Sequence, residues 1–311
     1  MKVAYKKFAC NRCFGVELEA SNTVTQAYIK KVIQANSNIP TKLSSKWQLS
    51  KGNKFWHIKK DSTCGVKGKG YDKGWEVASY KGETIDDIIH MGQIADNLRL
   101  AGLEVNNNCG LHVHVEVKDY TTREMGKLIG YWLKIEDVLL NSVPWRRNFS
   151  PYCQPLRQNT TKSLTPTPEQ LWSHHSPCCL SPFENPERWL TLNLINYATG
   201  LLYKNYSRTT IEFRFPEGTL VQEDVKNWIR LFVHFVDEVK SLPDPDNIRT
   251  ANLQETLTIL GLHHTASTFN IFSKGLFETR AWFLNRIMRH GCNSNRTRAG
   301  KILDLMSEKE N

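Results

Sequence analysis

TTIEFRFPEG, residues 209–218, sets Ile211, Phe213 and Phe215 at alternate positions with Glu212 and Arg214 between them. Successive side chains of a β-strand point to opposite faces, so residues two apart share a face. The stretch reads as a strand with one face for a core and another carrying an acid and a base. Two further stretches make the same selection. In FGVELEA (14–20) Glu17 and Glu19 oppose Val16 and Leu18, and in LHVHVEV (111–117) His112, His114 and Glu116 oppose Val113, Val115 and Val117. A half-exposed strand usually shows Thr, Ser and Lys to water. One sheet that lays all three apolar faces on helices gathers the three polar faces in a shared cleft. Carboxylates beside imidazole suit Mg²⁺ or Mn²⁺, and an arginine beside them suits a phosphate oxygen. Each stretch alone is more often a solvated face than a site; together they favour a metal and phosphate cleft.

Around these strands the pattern predicts a helix in SNTVTQAYIKKVIQAN (21–36) and strands in FWHIKK (55–60) and WEVASY (75–80). Thr84 with Asp87, and Thr121 with Glu124, have the spacing of capping boxes, and Gly102 is placed to close the first of the two helices they open. RWLTLNLINYA (188–198) reads as a strand, and EDVKNWIRLFVHFVDEVKSL (223–242) as a strong helix. Residues 142–187 are rich in proline and poor in periodicity, which predicts an irregular segment such as a lid or substrate loop. Beyond PDPD (243–246) the chain reads as helical, and residues 274–301 hold seven Lys and Arg against one acid.

The 311 residues are 40% hydrophobic, enough for a large core. No apolar run has membrane-spanning length, and MKVAYKKFACNRC lacks the apolar stretch of a secretory signal, so a cytoplasmic protein is expected. The eight cysteines are scattered and predict reduced thiols. A zinc site joining Cys10 and Cys13 with His174, His175, Cys178 or Cys179 is a weaker expectation. Residues 1–73 hold 15 Lys and Arg against 4 acids, which suits an anionic partner or a solvated lysine surface equally.

FGVELEA, then DS followed by GWEVASY, LEVNNNCGLHVHVEV, RWLTLNL and RTTIEFRFPEGTL stand in an order that resembles the amidoligase family, of the glutamine synthetase and glutamate–cysteine ligase superfamily. The resemblance covers about residues 12–240. It implies an α+β fold: an antiparallel β-sheet funnel of carboxylate–amine ligase type with helices packed on one face. Residues 1–241 would be the catalytic domain, with its irregular insert at 142–187, and residues 242–311 a helical, basic C-terminal extension. Glu17, Glu19, Glu76, His112 and Glu212 would be metal ligands, and His114 a nucleotide or phosphate contact. Arg214 would steady the γ-phosphate, Arg188 and Asn193 would contact nucleotide or substrate, and Glu212, Asp61 and Arg214 would serve catalysis.

The implied activity is an ATP- and Mg²⁺- or Mn²⁺-dependent ligase that joins a carboxylate to an amine or ammonia through an acyl-phosphate. Amino acids, peptides and macromolecules, aminated DNA bases among them, are within its range, since such proteins often occur in phage and mobile-element settings. Asp61 before the Lys67 and Lys69 glycine loop could hold an amine or a metal, or merely begin a turn. Arg146 and Arg147 read as a surface pair or as contacts to an acidic substrate. Two other functions compete: a nucleic-acid-binding protein without catalysis, and a metal-dependent hydrolase. Oligomerisation is left open.

Overall fold

Alternating side chains produce strands where expected. The structure, a computed structural model, describes residues 12–21, 24–43, 55–65, 74–159, 165–176, 189–203, 209–262 and 271–307. It is a mixed α+β protein whose chain divides into two compact units, Met1–Val115 with Pro216–Ile229, and Glu116–Phe215 with Arg230–Asn311.

In the first unit the strands are β1 (Phe14–Ser21), β2 (Thr41–Leu43), β3 (Trp56–Lys60), β4 (Gly74–Ala78) and β5 (Leu111–Glu116), with helices α1 (Gln26–Asn36) and α2 (Ile85–Leu100). The strand order is β2-β3-β4-β1-β5. All these pairs are antiparallel except β2 with β3. β2 was not evident in the sequence, being only three residues long. Val16, Leu18, Trp56, Ile58, Trp75, Val77, Leu111, Val113 and Val115 are buried, as are Ile29 and Ile33 of α1 and Ile88, Met91 and Ile94 of α2. Thr84 and Asp87 form the expected capping box, and Gly102 follows α2 with φ 92°, a conformation that favours glycine.

The second unit contains α3 (Thr122–Leu140), α4 (Pro168–His175), β6 (Leu192–Asn193), α5 (Ile195–Leu202) and β7 (Thr210–Phe213). Helix α6 (Gln222–Ser241) begins in the first unit and continues here, followed by α7 (Leu253–Ile259), α8 (Ile271–His290) and α9 (Asn293–Ser307). β6 and β7 pair antiparallel, with Asn193 opposite Glu212. The apolar face of the quoted strand meets a core of aromatic rings. Phe213 stacks on Phe232 with centroids 4.2 Å apart, and Trp132 of α3 lies 5.3 Å from Phe213.

Two expectations need correction. The strand expected over 188–198 is only two residues long in the described part, because Asn193 Oδ1 accepts the Ile195 N–H at 2.9 Å and the chain turns into α5. The expected irregular segment contains α4, opened by a capping box of Thr167 and Gln170 with Pro168 at the start of the helix. Nearby, the backbone of Leu156 and Arg157 is fixed by buried Glu136 of α3. Its carboxylate accepts from Leu156 N at 2.7 Å, Arg157 N at 2.8 Å, Trp132 Nε1 at 3.0 Å and the Thr191 hydroxyl.

Buried His175 of α4 finds no hydrogen-bond partner for Nε2 among the described residues. Burial, aided by the neighbouring His174, pushes its pKa down to about 4 from 6.5. The unfolded chain therefore takes up this proton first as pH falls. The resulting stability is complete above about pH 6.5, is lost towards pH 4, and amounts to roughly 3 kcal/mol. His175→Gln is expected to flatten the pH dependence of urea unfolding across that window; an unchanged slope would contradict this assignment.

Candidate active site

The polar face of the first unit is built by strand register. β1 sets Glu17 opposite Ala78 and Glu19 opposite Glu76 on one side, and Glu17 opposite His112 on the other. β3 adds Lys59 opposite Glu76. Directly opposed residues share a face, so this antiparallel arrangement brings Glu17, Glu19, Glu76, His112 and His114 together. Glu17, Glu19, Glu76 and His112 are all buried.

His112 has a carboxylate on each ring nitrogen: Nδ1 lies 3.1 Å from Glu17 Oε2, and Nε2 lies 3.4 Å from Glu19 Oε1. His114 Nε2 lies 3.2 Å from the other Glu17 oxygen. Glu19 Oε2 accepts the Gly110 N–H at 2.6 Å. Lys59 Nζ lies 2.7 Å from Glu76 Oε1, although this buried oxygen makes no hydrogen bond of acceptable geometry.

The two flanking carboxylates respond differently to this environment. Burial opposes ionisation of Glu17, but the charge of His114, hydrogen bonds from both imidazoles and the charge of His112 together hold its pKa well below the usual range. For Glu76, burial and the Glu17 charge outweigh Lys59, with Glu19 adding to the upward shift, so its pKa lies well above that range. Three buried carboxylates thus share a face on which the basic side chains beside them, among the described residues, are two imidazoles and one lysine. A divalent cation would supply the charge that this donor set lacks.

In the second unit Glu212 and Arg214 share the polar face of β7 and its continuation. Arg214 Nη1 donates to Glu212 Oε1 at 2.5 Å, and Asn193 Nδ2 donates to Glu212 Oε2 at 2.7 Å. The Arg214 guanidinium lies 5.3 Å from the Trp189 ring centroid, and its Nε is 3.5 Å from Tyr152 O. Asn193 therefore orients Glu212 through one end of its amide and starts α5 through the other.

The arginine pair divides. Arg146 is exposed, whereas Arg147 is buried and donates to the carbonyls of Arg214 and Phe215 at 2.7 and 3.3 Å. Arg147 thus braces the backbone of the Glu-x-Arg strand, which corrects its reading as half of a surface pair. Glu116 pairs with Lys118 at 3.1 Å.

Asp61 begins a turn, its Oδ1 accepting from Thr63 N and Oγ1 at 2.8 and 2.6 Å. It also stands near Glu19, with Cys64 as a third neighbour that the sequence reading overlooked. Cys13 is buried with Sγ 3.6 Å from Glu83 Oε1. His174 and His175 contact each other edge to face. Arg188, Lys67, Lys69, Cys10, Cys178 and Cys179 lie outside the described residues.

The family model described as "Putative amidoligase enzyme" matches residues 10–236. This chain belongs to the amidoligase family. The match takes in every element of the two polar sets, from Glu17 to Arg214. A search of the curated proteins finds no match. One similar solved structure is that of a bifunctional glutathione synthetase from Pasteurella multocida, at 10% identity and a TM-score of 0.41. The match covers 96% of this chain and 47% of that protein, so this amidoligase-family chain spans about half its length. No helix among the described residues is long and apolar enough to cross a membrane.

Proposed function

We propose that this protein is an ATP- and divalent-metal-dependent ligase that joins a carboxylate to an amine or ammonia through an acyl-phosphate. The observation that carries this reading is the face formed by buried Glu17, Glu19, Glu76 and His112 with half-buried His114, in a chain of the amidoligase family. Glu17, Glu19, Glu76 and His112, with Glu212, would hold Mg²⁺ or Mn²⁺. When bound, such ions neutralise phosphate charge and orient the phosphoryl group.

The residues then divide the work. His114 binds a nucleotide phosphate, and Arg214, held by Glu212 and aligned by Arg147 through its backbone, steadies the transferring phosphoryl group. Arg188 and Asn193 are assigned to nucleotide or substrate contacts, the latter through Glu212. A substrate carboxylate oxygen bonds to the γ-phosphorus as the bond to ADP breaks. The amine nitrogen then bonds to the acyl carbon, phosphate departs with the electron pair of the broken C–O bond, and Glu212 or Asp61 accepts the amine proton. The substrate pair includes an amino acid, a peptide or a macromolecule on the amine side.

Calorimetric titration of ATP with and without Mg²⁺ tests this reading. Binding is expected with Mg²⁺ and is expected to weaken at least tenfold without it. No binding of ATP in either Mg²⁺ or Mn²⁺ would sink the proposal.

A further inference from the structure

The turn that leaves β3 brings a thiol to the acidic face. Cys64 is completely buried, and ligand atoms of Glu19, Asp61 and Cys64 all lie within 4.8 Å of one another. That spacing is within the reach of one cation after small side-chain adjustments, given metal–oxygen distances of about 2.0–2.2 Å and metal–sulfur distances of about 2.3 Å.

The cluster is fixed from several sides. Asp61 N donates to Gly74 O at 2.9 Å, and Asn106 Nδ2 donates to Cys64 O at 2.8 Å. A Cβ on Gly74 would come within 1.9 Å of Asp61 O and 2.8 Å of Cys64 Cβ, so the turn fits only against a glycine. The Gly110 N–H anchors Glu19 from the opposite side. A second buried thiol, Cys109, accepts the Asn106 N–H at 3.4 Å, and the Thr63 hydroxyl lies 3.7 Å from Cys64 Sγ.

Charge is unbalanced here. Among the described residues, no Lys or Arg forms an ion pair with Glu19 or Asp61, and Glu19 Oε1 lies 3.4 Å from His112 Nε2. Across the β1–β4 pair, Glu76 stands opposite Glu19 with its Oε1 ion-paired to Lys59 at 2.7 Å. Two carboxylates and a thiol form a donor set that mixes hard oxygen with softer sulfur.

We propose that Glu19, Asp61 and Cys64 hold a borderline divalent cation, of the Zn²⁺ or Co²⁺ class, with the Cys64 thiolate as the ligand that selects it over Mg²⁺. This rests on the Glu19 face being cation-binding, as in the ligase reading, but requires no ligase chemistry. Coordination displaces the Cys64 proton to solvent, leaving the sulfur electron pair for the metal.

The test is titration of Co²⁺ into the reduced full-length protein without nucleotide, reading the near-ultraviolet thiolate-to-cobalt charge-transfer absorption. The absorption is expected to saturate, to be lost in Cys64→Ser and to persist in Cys109→Ser and Cys13→Ser. Asp61→Asn is expected to weaken the apparent affinity tenfold or more while keeping the absorption at saturation. Circular dichroism establishes that Cys64→Ser is folded; if it is not, the Asp61→Asn shift decides. No absorption in the wild type, an undiminished signal in folded Cys64→Ser, or unchanged affinity in Asp61→Asn would overturn the proposal. Mg²⁺-dependent ATP binding, measured separately on the wild type, distinguishes failure of the ligase reading from failure of this site.

Discussion

Replacing Glu76 by glutamine is expected to stabilise the protein without added metal by about 1 kcal/mol and to lower ATP-dependent turnover on the order of a hundredfold or more. Glu76 is 4% exposed, and burial with the charges of Glu17 and Glu19 outweighs the help of Lys59. The folded protein therefore holds the Glu76 proton more tightly than the unfolded chain does. A folded pKa above the ordinary value of 4.5 means that stability is complete below that value and is lost as pH rises through the folded one. Glutamine keeps the shape, removes the buried charge and abolishes this loss at neutral pH. The same change removes a proposed metal ligand, so stability and activity move in opposite directions. Mg²⁺ at a hundred times its Kd is expected to stabilise the wild type by about 2.7 kcal/mol and the variant by much less. Urea unfolding with and without Mg²⁺, alongside a turnover assay, checks both effects. A variant less stable than wild type without metal would contradict the charge argument.

Arg214→Ala is expected to cost about 3–5 kcal/mol of folding stability together with most of the turnover. Arg214 and Glu212 are each about 5% exposed and joined at 2.5 Å. Removing the guanidinium leaves the Glu212 carboxylate buried with a neutral amide, Asn193, on its other oxygen. Arg214→Lys separates the two roles. A lysine restores the charge and part of the stability, but lacks the planar fork that holds Glu212 and a phosphoryl oxygen together. The lysine variant is therefore expected to unfold at higher urea than the alanine variant while remaining catalytically poor. Near-wild-type turnover in Arg214→Lys would remove the fork from the account, and a loss under about 1 kcal/mol in Arg214→Ala would remove the buried pair.

Strands whose two faces differ in chemistry were the most legible part of this chain. Val16 and Leu18 against Glu17 and Glu19, or Val113 and Val115 against His112 and His114, identify both a core face and a site face. Capping boxes at Thr84 and Thr121 located two helix starts because their spacing is local. The equivalent signal at Thr167 and Gln170 was obscured by the surrounding prolines, although Pro168 itself suits the first turn of α4. Residues 192–198 alternate like a strand, but the Asn193 amide diverts them into a helix. Long-range contacts were not legible. Nothing local to Cys64 reveals that it meets Glu19, 45 positions away, because β1, β4 and the Asp61 turn must first assemble. Arg147 looked like its neighbour Arg146 until the Arg214 and Phe215 carbonyls supplied the reason for its burial.

The central claim is that the Glu and His face, with Arg214, drives amide formation by ATP cleavage. Its most direct measurement follows ADP release with Mg²⁺ or Mn²⁺ across a panel of carboxylates and amines, with hydroxylamine present as the acceptor that converts an acyl-phosphate into a hydroxamate. The account predicts hydroxamate and ADP in equal amounts, dependent on a carboxylate substrate and lost in both Glu17→Ala and Arg214→Ala. Amide or hydroxamate chemistry that proceeds without consuming ATP, or ADP release undiminished in both variants, would contradict it.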